Sequence, residues 1–274
     1  MWKTKDMQKI AWMTDIHLNF LKRPEVVAFC RDVAGMNPDA VLLGGDIGDA
    51  RTIKTYLEIF QDVLDCPIYF LLGNHDFYHG SIAEVREQIK KLSTGSRLLH
   101  WLPEVGIVPL AEKTCLLGCE SWADGRLGDY AKSKVMLNDY FLIDELTGLD
   151  SRDRLKRLKS LADDAAAGLS EILPKALDRF QTVILLTHVP PFTEACRYQG
   201  QKTSAEWLPH FSCKAAGDVI MKHMSNYPNR EMLVLCGHTH DAFQIRIRTN
   251  VEVRVGGAVY GMPRIQGLLN MMVS

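Results

Sequence analysis

Five short polar clusters carry the side chains of this sequence that could do chemistry: Asp15-Ile16-His17, Gly45-Asp46, Gly73-Asn74-His75-Asp76, Thr187-His188 and Gly237-His238-Thr239-His240. Together they offer carboxylate oxygens, an amide oxygen and imidazole nitrogens. That mixture suits Mn, Fe, Co, Ni or Zn better than Ca or Mg. In extended backbone, residues i and i+2 point the same way, so Asp15 with His17, and His238 with His240, could each reach one ion. Asp46 stands alone at the end of its segment, where a single carboxylate can bridge two ions. Gly45, Gly73 and Gly237 each directly precede a candidate ligand, and a residue without a Cβ permits a sharp turn and close approach of backbone to an ion.

Each cluster follows an apolar run, at residues 10–13, 40–43, 68–72, 182–186 and 232–236. Continuous apolar runs of this length are expected of strands buried on both faces by covering helices. In such sheets the functional groups emerge just past the carboxyl ends of the strands, so all five clusters are expected on one rim. Asp15 to Asp46 spans 31 residues and Asp46 to Asn74 spans 28, each close to the length of a β-α-β unit. The intervening helices are legible. Pro24 suits a first turn, followed by Val26, Val27, Phe29, Cys30 and Val33 at near-helical spacing. A second helix starts near Thr52 and carries Tyr56, Leu57, Phe60 and Leu64. Ser81 can cap a third, ahead of Ile82, Val85, Ile89 and Leu92.

With 274 residues, no linker, no repeat, and candidate ligands from Asp15 to His240, the chain is expected to form one domain over residues 1–274. A net charge of −1 gives no basic excess of the kind that binding long nucleic acid favours. The seven cysteines are odd in number and scattered, as small buried residues of a reducing compartment would be. The first ten residues carry Lys3, Lys5, Asp6 and Lys9 with no apolar core, and no segment has the apolar length of a membrane span. A cytoplasmic protein is expected.

The ordered set Asp-x-His, Gly-Asp, Gly-Asn-His-Asp, His, Gly-His-x-His resembles the calcineurin-like metallophosphoesterase superfamily, in its bacterial phosphodiesterase-like branch, over residues 15–240. The resemblance implies an α/β fold, a four-layer α/β/β/α sandwich of two mixed β-sheets flanked by helices. It implies two divalent transition metal ions (Mn, Fe or Zn), one held by Asp15, His17 and His240, the other by Asn74, His188 and His238, with Asp46 shared. It implies that His75 is catalytic and that Asp49 orients it, although Asp49 also stands where it could cap the second helix. The implied chemistry is hydrolysis of a phosphate ester: paired ions lower the pKa of a shared water, hydroxide attacks phosphorus in line, and His75 protonates the leaving oxygen as general acid.

Leu72 and Ala50 occupy positions where the phosphoprotein phosphatases of the superfamily carry phosphate-gripping arginines, so small-molecule phosphodiesters are the favoured substrates. Phosphomonoesters, nucleic acids and a non-catalytic scaffold stay open as alternatives. Residues at about 120–180 form either a helical hairpin on the sandwich edge or a cap over the site, with Trp122, Arg126 and Tyr130 near its entrance. Arg197 is a candidate phosphate clamp, with Tyr198 and Trp207 close by in sequence.

Overall fold

A computed structural model of the chain describes residues 7–270. In chain order its elements are β1 (Lys9–Met13), α1 (Arg23–Gly35), β2 (Ala40–Gly44), α2 (Ile53–Val63), β3 (Ile68–Leu71), α3 (Ile82–Thr94), β4 (Leu99–Trp101) and the one-turn α4 (Leu102–Val105). Then come β5 (Val108–Ala111), β6 (Thr114–Cys119), the one-turn α5 (Asp139–Leu142), α6 (Ser151–Arg179) and β7 (Thr182–Thr187). The last third holds the two-residue strands β8 (Arg197–Tyr198) and β9 (Gln201–Lys202), the one-turn α7 (Leu208–Phe211), α8 (Lys214–Asn226), β10 (Glu231–Cys236), β11 (Phe243–Arg248), β12 (Val251–Val255) and β13 (Gly267–Asn270).

Two mixed sheets form the centre. One has the order β13-β1-β2-β3-β4, with β1 to β4 parallel and β13 antiparallel; the other has the order β11-β12-β10-β7-β6-β5. Within the second, β6, β7, β10 and β12 run parallel, and β5 and β11 are antiparallel edges. The expected sandwich of two mixed sheets flanked by helices is therefore what the chain adopts.

The period-two alternation of strand side chains explains the unbroken apolar runs. Ile10, Trp12, Leu42 and Leu71 point inward and meet Leu116, Ile184, Leu186 and Leu235 of the facing sheet. Their neighbours Ala11, Met13, Val41, Leu43 and Phe70 point outward against α1, α2 and α3. Val183, Leu185, Val234 and Cys236 do the same against α6 and α8. The three helices anticipated between β1 and β4 are present: Pro24 lies in the first turn of α1, and the Ser81 hydroxyl accepts the Glu84 N–H at the start of α3. All seven cysteines are buried free thiols.

The long insertion is not a helical hairpin: its residues 137–139 reach the loop after β3, where Asp139 Oδ1 accepts the Asn74 Nδ2–H, and its second half is one long helix. α6 is one 29-residue helix, its Asp150 cap accepting the Asp153 N–H, and its Leu169, Leu173 and Leu177 face β6 and β7. Burying that apolar stripe on the sheet removes more oily surface from water than arching over a polar rim would. Among the described residues, no helix is long and apolar enough to cross a membrane.

In α8, a Cβ added at Gly217 would lie 2.2 Å from the Pro191 carbonyl oxygen. Gly217→Ala should push α8 off the loop that follows β7 and cost about 1–3 kcal/mol. The thermal midpoint by circular dichroism should fall by several degrees; an unchanged midpoint would show that this contact does not hold α8 in place.

Candidate metal centre

Asp15 and His17 follow β1, Asp46 follows β2, Asn74 and His75 follow β3, His188 follows β7, and His238 and His240 follow β10. Three loops of one sheet thus meet two of the other on the rim where the carboxyl ends of the parallel strands converge. The loops are zipped together by main-chain bonds: Asp15 N–H to Gly45 O, His17 N–H to Asp46 O, and Gly237 N–H to His188 O. Asp15 closes the seam between the sheets, its Oδ1 accepting the His238 N–H at 2.9 Å.

The local backbone is strained to aim these side chains. Asp15, His17, Asp46, His238 and His240 have φ between 41° and 67°, the left-handed region that L-residues avoid. The glycines before them are forced by crowding: a Cβ on Gly73 would lie 2.2 Å from Asp46 Oδ1, and one on Gly237 would lie 1.8 Å from Asp15 Oδ2.

Two donor sets result. In the first, Asp15, His17, Asp46 and His240 bring ligand atoms within 4.8 Å of one another. Within it, His17 Nε2 lies 3.0 Å from His240 Nε2, and His240 Nε2 lies 3.3 Å from Asp15 Oδ1. In the second, Asn74 Oδ1 lies 3.0 Å from both His188 Nε2 and His238 Nδ1, and His188 Nε2 lies 3.3 Å from Asp46 Oδ1. Asp46 faces both, its Oδ2 lying 3.8 Å from His17 Nε2.

Outer partners decide which atoms point inward. His188 Nδ1–H donates to the Gly44 carbonyl and His238 Nε2–H to the His210 carbonyl, each at 2.9 Å. Asn74 Nδ2–H donates to Asp139 Oδ1 at 2.9 Å, which turns the amide oxygen inward. Asn74 Oδ1 and His238 Nδ1 then oppose each other as two acceptors with no hydrogen between them. A cation relieves that opposition, so the donor set fits a divalent transition metal.

Electrostatics say the same. Burial alone would raise the Asp15 carboxyl, but the His240 and His188 rings outweigh it and hold it at about 2. Asp46 is likewise driven well below the carboxylate range, burial being overcome by His188 and His75. For His188 burial is again opposed, here by the Asp46 and Asp15 charges, which push it up to about 10. Burial lowers His17 to about 3. Without a metal, a proton on His188 is what lets the buried carboxylates stay ionised.

All seven expected ligands therefore come together, with His75 beside them, its Nε2 3.9 Å from Asp46 Oδ2. Asp49 does not join them. Its Oδ1 accepts the Arg51 N–H and the Thr52 hydroxyl at the start of α2, and no hydrogen bond or ion pair links it to His75. A carboxylate two residues before a free N–H closes a local turn more readily than it reaches across a cleft. Asp76 carries the supporting role instead. Fully buried, it accepts Ile47 and Gly48 N–H on Oδ1 and Gly73 N–H on Oδ2, so it ties the Asp46 loop to the Asn74 loop. Burial and the neighbouring Asp46 charge push its carboxyl up to about 8.

Other expectations fail for packing reasons. Trp122 is core, tilted against Phe77; Tyr130 accepts the Arg154 Nε–H; and Arg126 pairs with Asp124 and Asp163. Arg197 lies 3.7 Å over the Phe243 ring and is not among the cleft walls.

The cleft above the donor sets has a volume of about 290 Å³ and is bordered by Asp46, Asn74, His75, Tyr78, Leu137–Asp139, Tyr198, Trp207, Phe211, His238–His240 and Tyr260. Asp139, Tyr78 and Tyr260 were missed from sequence. Asp139 Oδ1 also accepts the Tyr78 hydroxyl at 2.6 Å, a pairing across 61 residues that no local motif announces.

The family model for calcineurin-like phosphoesterases matches residues 8–242. Among curated proteins, an uncharacterised metallophosphoesterase of Campylobacter jejuni is 31% identical over 49% of this chain and 36% of its own length. A Pseudoalteromonas protein described as a probable cyclic nucleotide phosphodiesterase is 35% identical over 25% of this chain and 31% of its own. The chain thus spans about a third of the length of these relatives. Among solved structures, phosphopantetheinyl hydrolase from Mycobacterium tuberculosis superposes with a TM-score of 0.64 at 14% identity, covering 93% of this chain and 91% of that one. A dimetal phosphatase from Danio rerio gives 0.57 at 13% identity, covering 92% and 88%. At such identities these two likenesses are of fold.

Because the Asp46 and Asp15 charges push His188 up to about 10, a metal that binds its ring must displace a proton. Mn affinity should rise about ten-fold per pH unit between pH 6 and 8 for each proton displaced. Titrations that give one affinity across this window would remove His188 from the ligand set.

Proposed function

The chain belongs to the calcineurin-like phosphoesterase family, and from that premise we propose that it hydrolyses phosphate esters, small-molecule phosphodiesters above all. The observation that carries this reading is Asp46, whose two oxygens face separate donor sets with His75 alongside. Two divalent ions (Mn, Fe or Zn) held by Asp15, His17, Asp46 and His240 and by Asp46, Asn74, His188 and His238 would supply the positive charge that neutralises phosphoryl oxygens and acidifies water.

The protein's own part is positioning and proton transfer. The His75 main-chain N–H donates to Asp46 Oδ1 at 2.8 Å, and the His75 ring stacks on Tyr78 with centroids 4.2 Å apart. The imidazole is thereby fixed on the cleft side of the shared carboxylate, where it can protonate the departing ester oxygen. Asp49 is left out of this role, for the reason given by its turn.

The cleft walls favour a diester. They contain no Lys or Arg among the described residues, and Asp139 adds negative charge. A phosphomonoester dianion brings a second charge that these walls do not answer, whereas a diester carries one. A volume of about 290 Å³ is at the low end for small-molecule sites and leaves little room for a polymer. The description of the Pseudoalteromonas relative supports the same preference.

Loaded with Mn, the protein should show a higher kcat/KM on bis(p-nitrophenyl) phosphate than on p-nitrophenyl phosphate; the reverse order would sink the diester preference. His75→Ala should keep its metal content and lose roughly 10²–10⁴-fold in kcat, while Asp46→Asn should lose metal. If elemental analysis and rates put both variants in one class, the division of roles is wrong.

A further inference from the structure

A second cavity, of about 310 Å³, is lined by residues of α3, α4, β6 and α6. No residue borders both it and the metal cleft. Trp101 and Leu102 supply apolar wall from the β4–α4 junction, and Leu161, Leu169 and Ile172 supply it from α6. Two charged side chains stand among them, Arg86 of α3 and Asp164 of α6, and Glu120 is buried beside Arg86.

Glu120 has no capacity left for a ligand. Its Oε1 accepts the Leu72 N–H at 3.0 Å and the Trp101 Nε1–H at 2.6 Å. Its Oε2 accepts the Arg86 Nε–H at 3.2 Å and lies 3.2 Å from Arg86 Nη2. One edge of the guanidinium is thereby used. The Nη1/Nη2 edge has no partner among the described residues, and that planar fork matches a carboxylate. Asp164 is exposed and forms no ion pair or side-chain hydrogen bond among the described residues. Nor does packing require the space. A Cβ on Gly168, in the body of α6, would meet nothing within 4 Å, so the helix forgoes the stability an alanine would add there and the wall stays hollow.

We propose that this cavity is a binding site for a free apolar α-amino acid of about the size of leucine. The carboxylate pairs with the open edge of Arg86, the ammonium with Asp164, and the side chain covers the apolar wall around Trp101, Leu102 and Leu169, where burial supplies the affinity. An apolar anion would leave Asp164 unanswered, and an apolar cation would leave the Arg86 fork unanswered. A zwitterion answers both. A volume of about 310 Å³ lies at the low end for small-molecule sites and suits one such molecule. The site needs neither metal nor ester, so it stands apart from the phosphoesterase reading.

The test uses the Mn-loaded full chain and three probes of one carbon skeleton: leucine, 4-methylpentanoate, which lacks the ammonium, and 3-methylbutylamine, which lacks the carboxylate. In calorimetric titration leucine should bind about ten-fold tighter than either, the worth of one charged hydrogen-bonding group. Asp164→Asn should weaken leucine and 3-methylbutylamine about ten-fold and leave 4-methylpentanoate unchanged. Arg86→Lys keeps a cation beside Glu120 but loses the fork, so it should weaken leucine and 4-methylpentanoate and leave the amine unchanged. Circular dichroism checks the fold of both variants. Asp164 is exposed and unpaired, so its variant reads the site even where Arg86→Lys fails to fold. No binding of leucine, equal affinity for the three probes, or an Asp164→Asn protein that treats all three alike would overturn the site.

Discussion

Asp15 and Asp46 are 3% and 1% exposed and share one rim with five histidines, and everything else in the site answers to that. Two carboxylates cannot be taken out of water side by side without positive charge between them. The fold supplies that charge in a form that can be exchanged. Protons on His188 and His240 balance the carboxylates, and both groups are held above their ordinary values by Asp46 and Asp15 against the pull of burial. A divalent ion offers more charge at the same points, and it also gives a partner to His238 Nδ1, which faces Asn74 Oδ1 as acceptor against acceptor.

Holding such a set together requires rigid surroundings, because its backbone conformations are unfavourable. The two sheets provide the base, with side chains buried on both faces of β1, β2, β3, β7 and β10. The loops add a lattice of bonds, with Asp76 collecting three N–H groups from two loops and Glu120 accepting the Leu72 N–H just before the Gly-Asn-His segment. Strain at five left-handed ligand positions is tolerable only because these contacts over-determine the geometry. The other cleft walls have a different origin: they come from segments outside the parallel strands, which supply Asp139, Trp207 and Tyr260.

The division between what the sequence disclosed and what it hid follows from the same contrast. Strand, glycine, ligand is a local pattern, so Gly45-Asp46, Gly73-Asn74 and Gly237-His238 could be read directly, and with them the sheets and the rim. Asp49 was ambiguous because its two roles differ only in which way one side chain turns, and Thr52 and Arg51 settle that locally. α6 had a clear apolar stripe, but a stripe does not say which surface it covers; the outer face of β6 and β7 was the vacant one. Asp139 and Tyr260 belong to no periodic pattern, and they meet the site through contacts across 61, 65 and 243 residues with Tyr78, Asn74 and His17.

The central claim is that Asp46 stands between two cations. Anomalous diffraction from crystals of the Mn-loaded protein tests it most directly. Two peaks about 3.5–4 Å apart, one beside Asp15, His17 and His240 and the other beside Asn74, His188 and His238, are the expected result. Density for Mn on one side of Asp46 only, or none within coordination distance of it, would contradict the account.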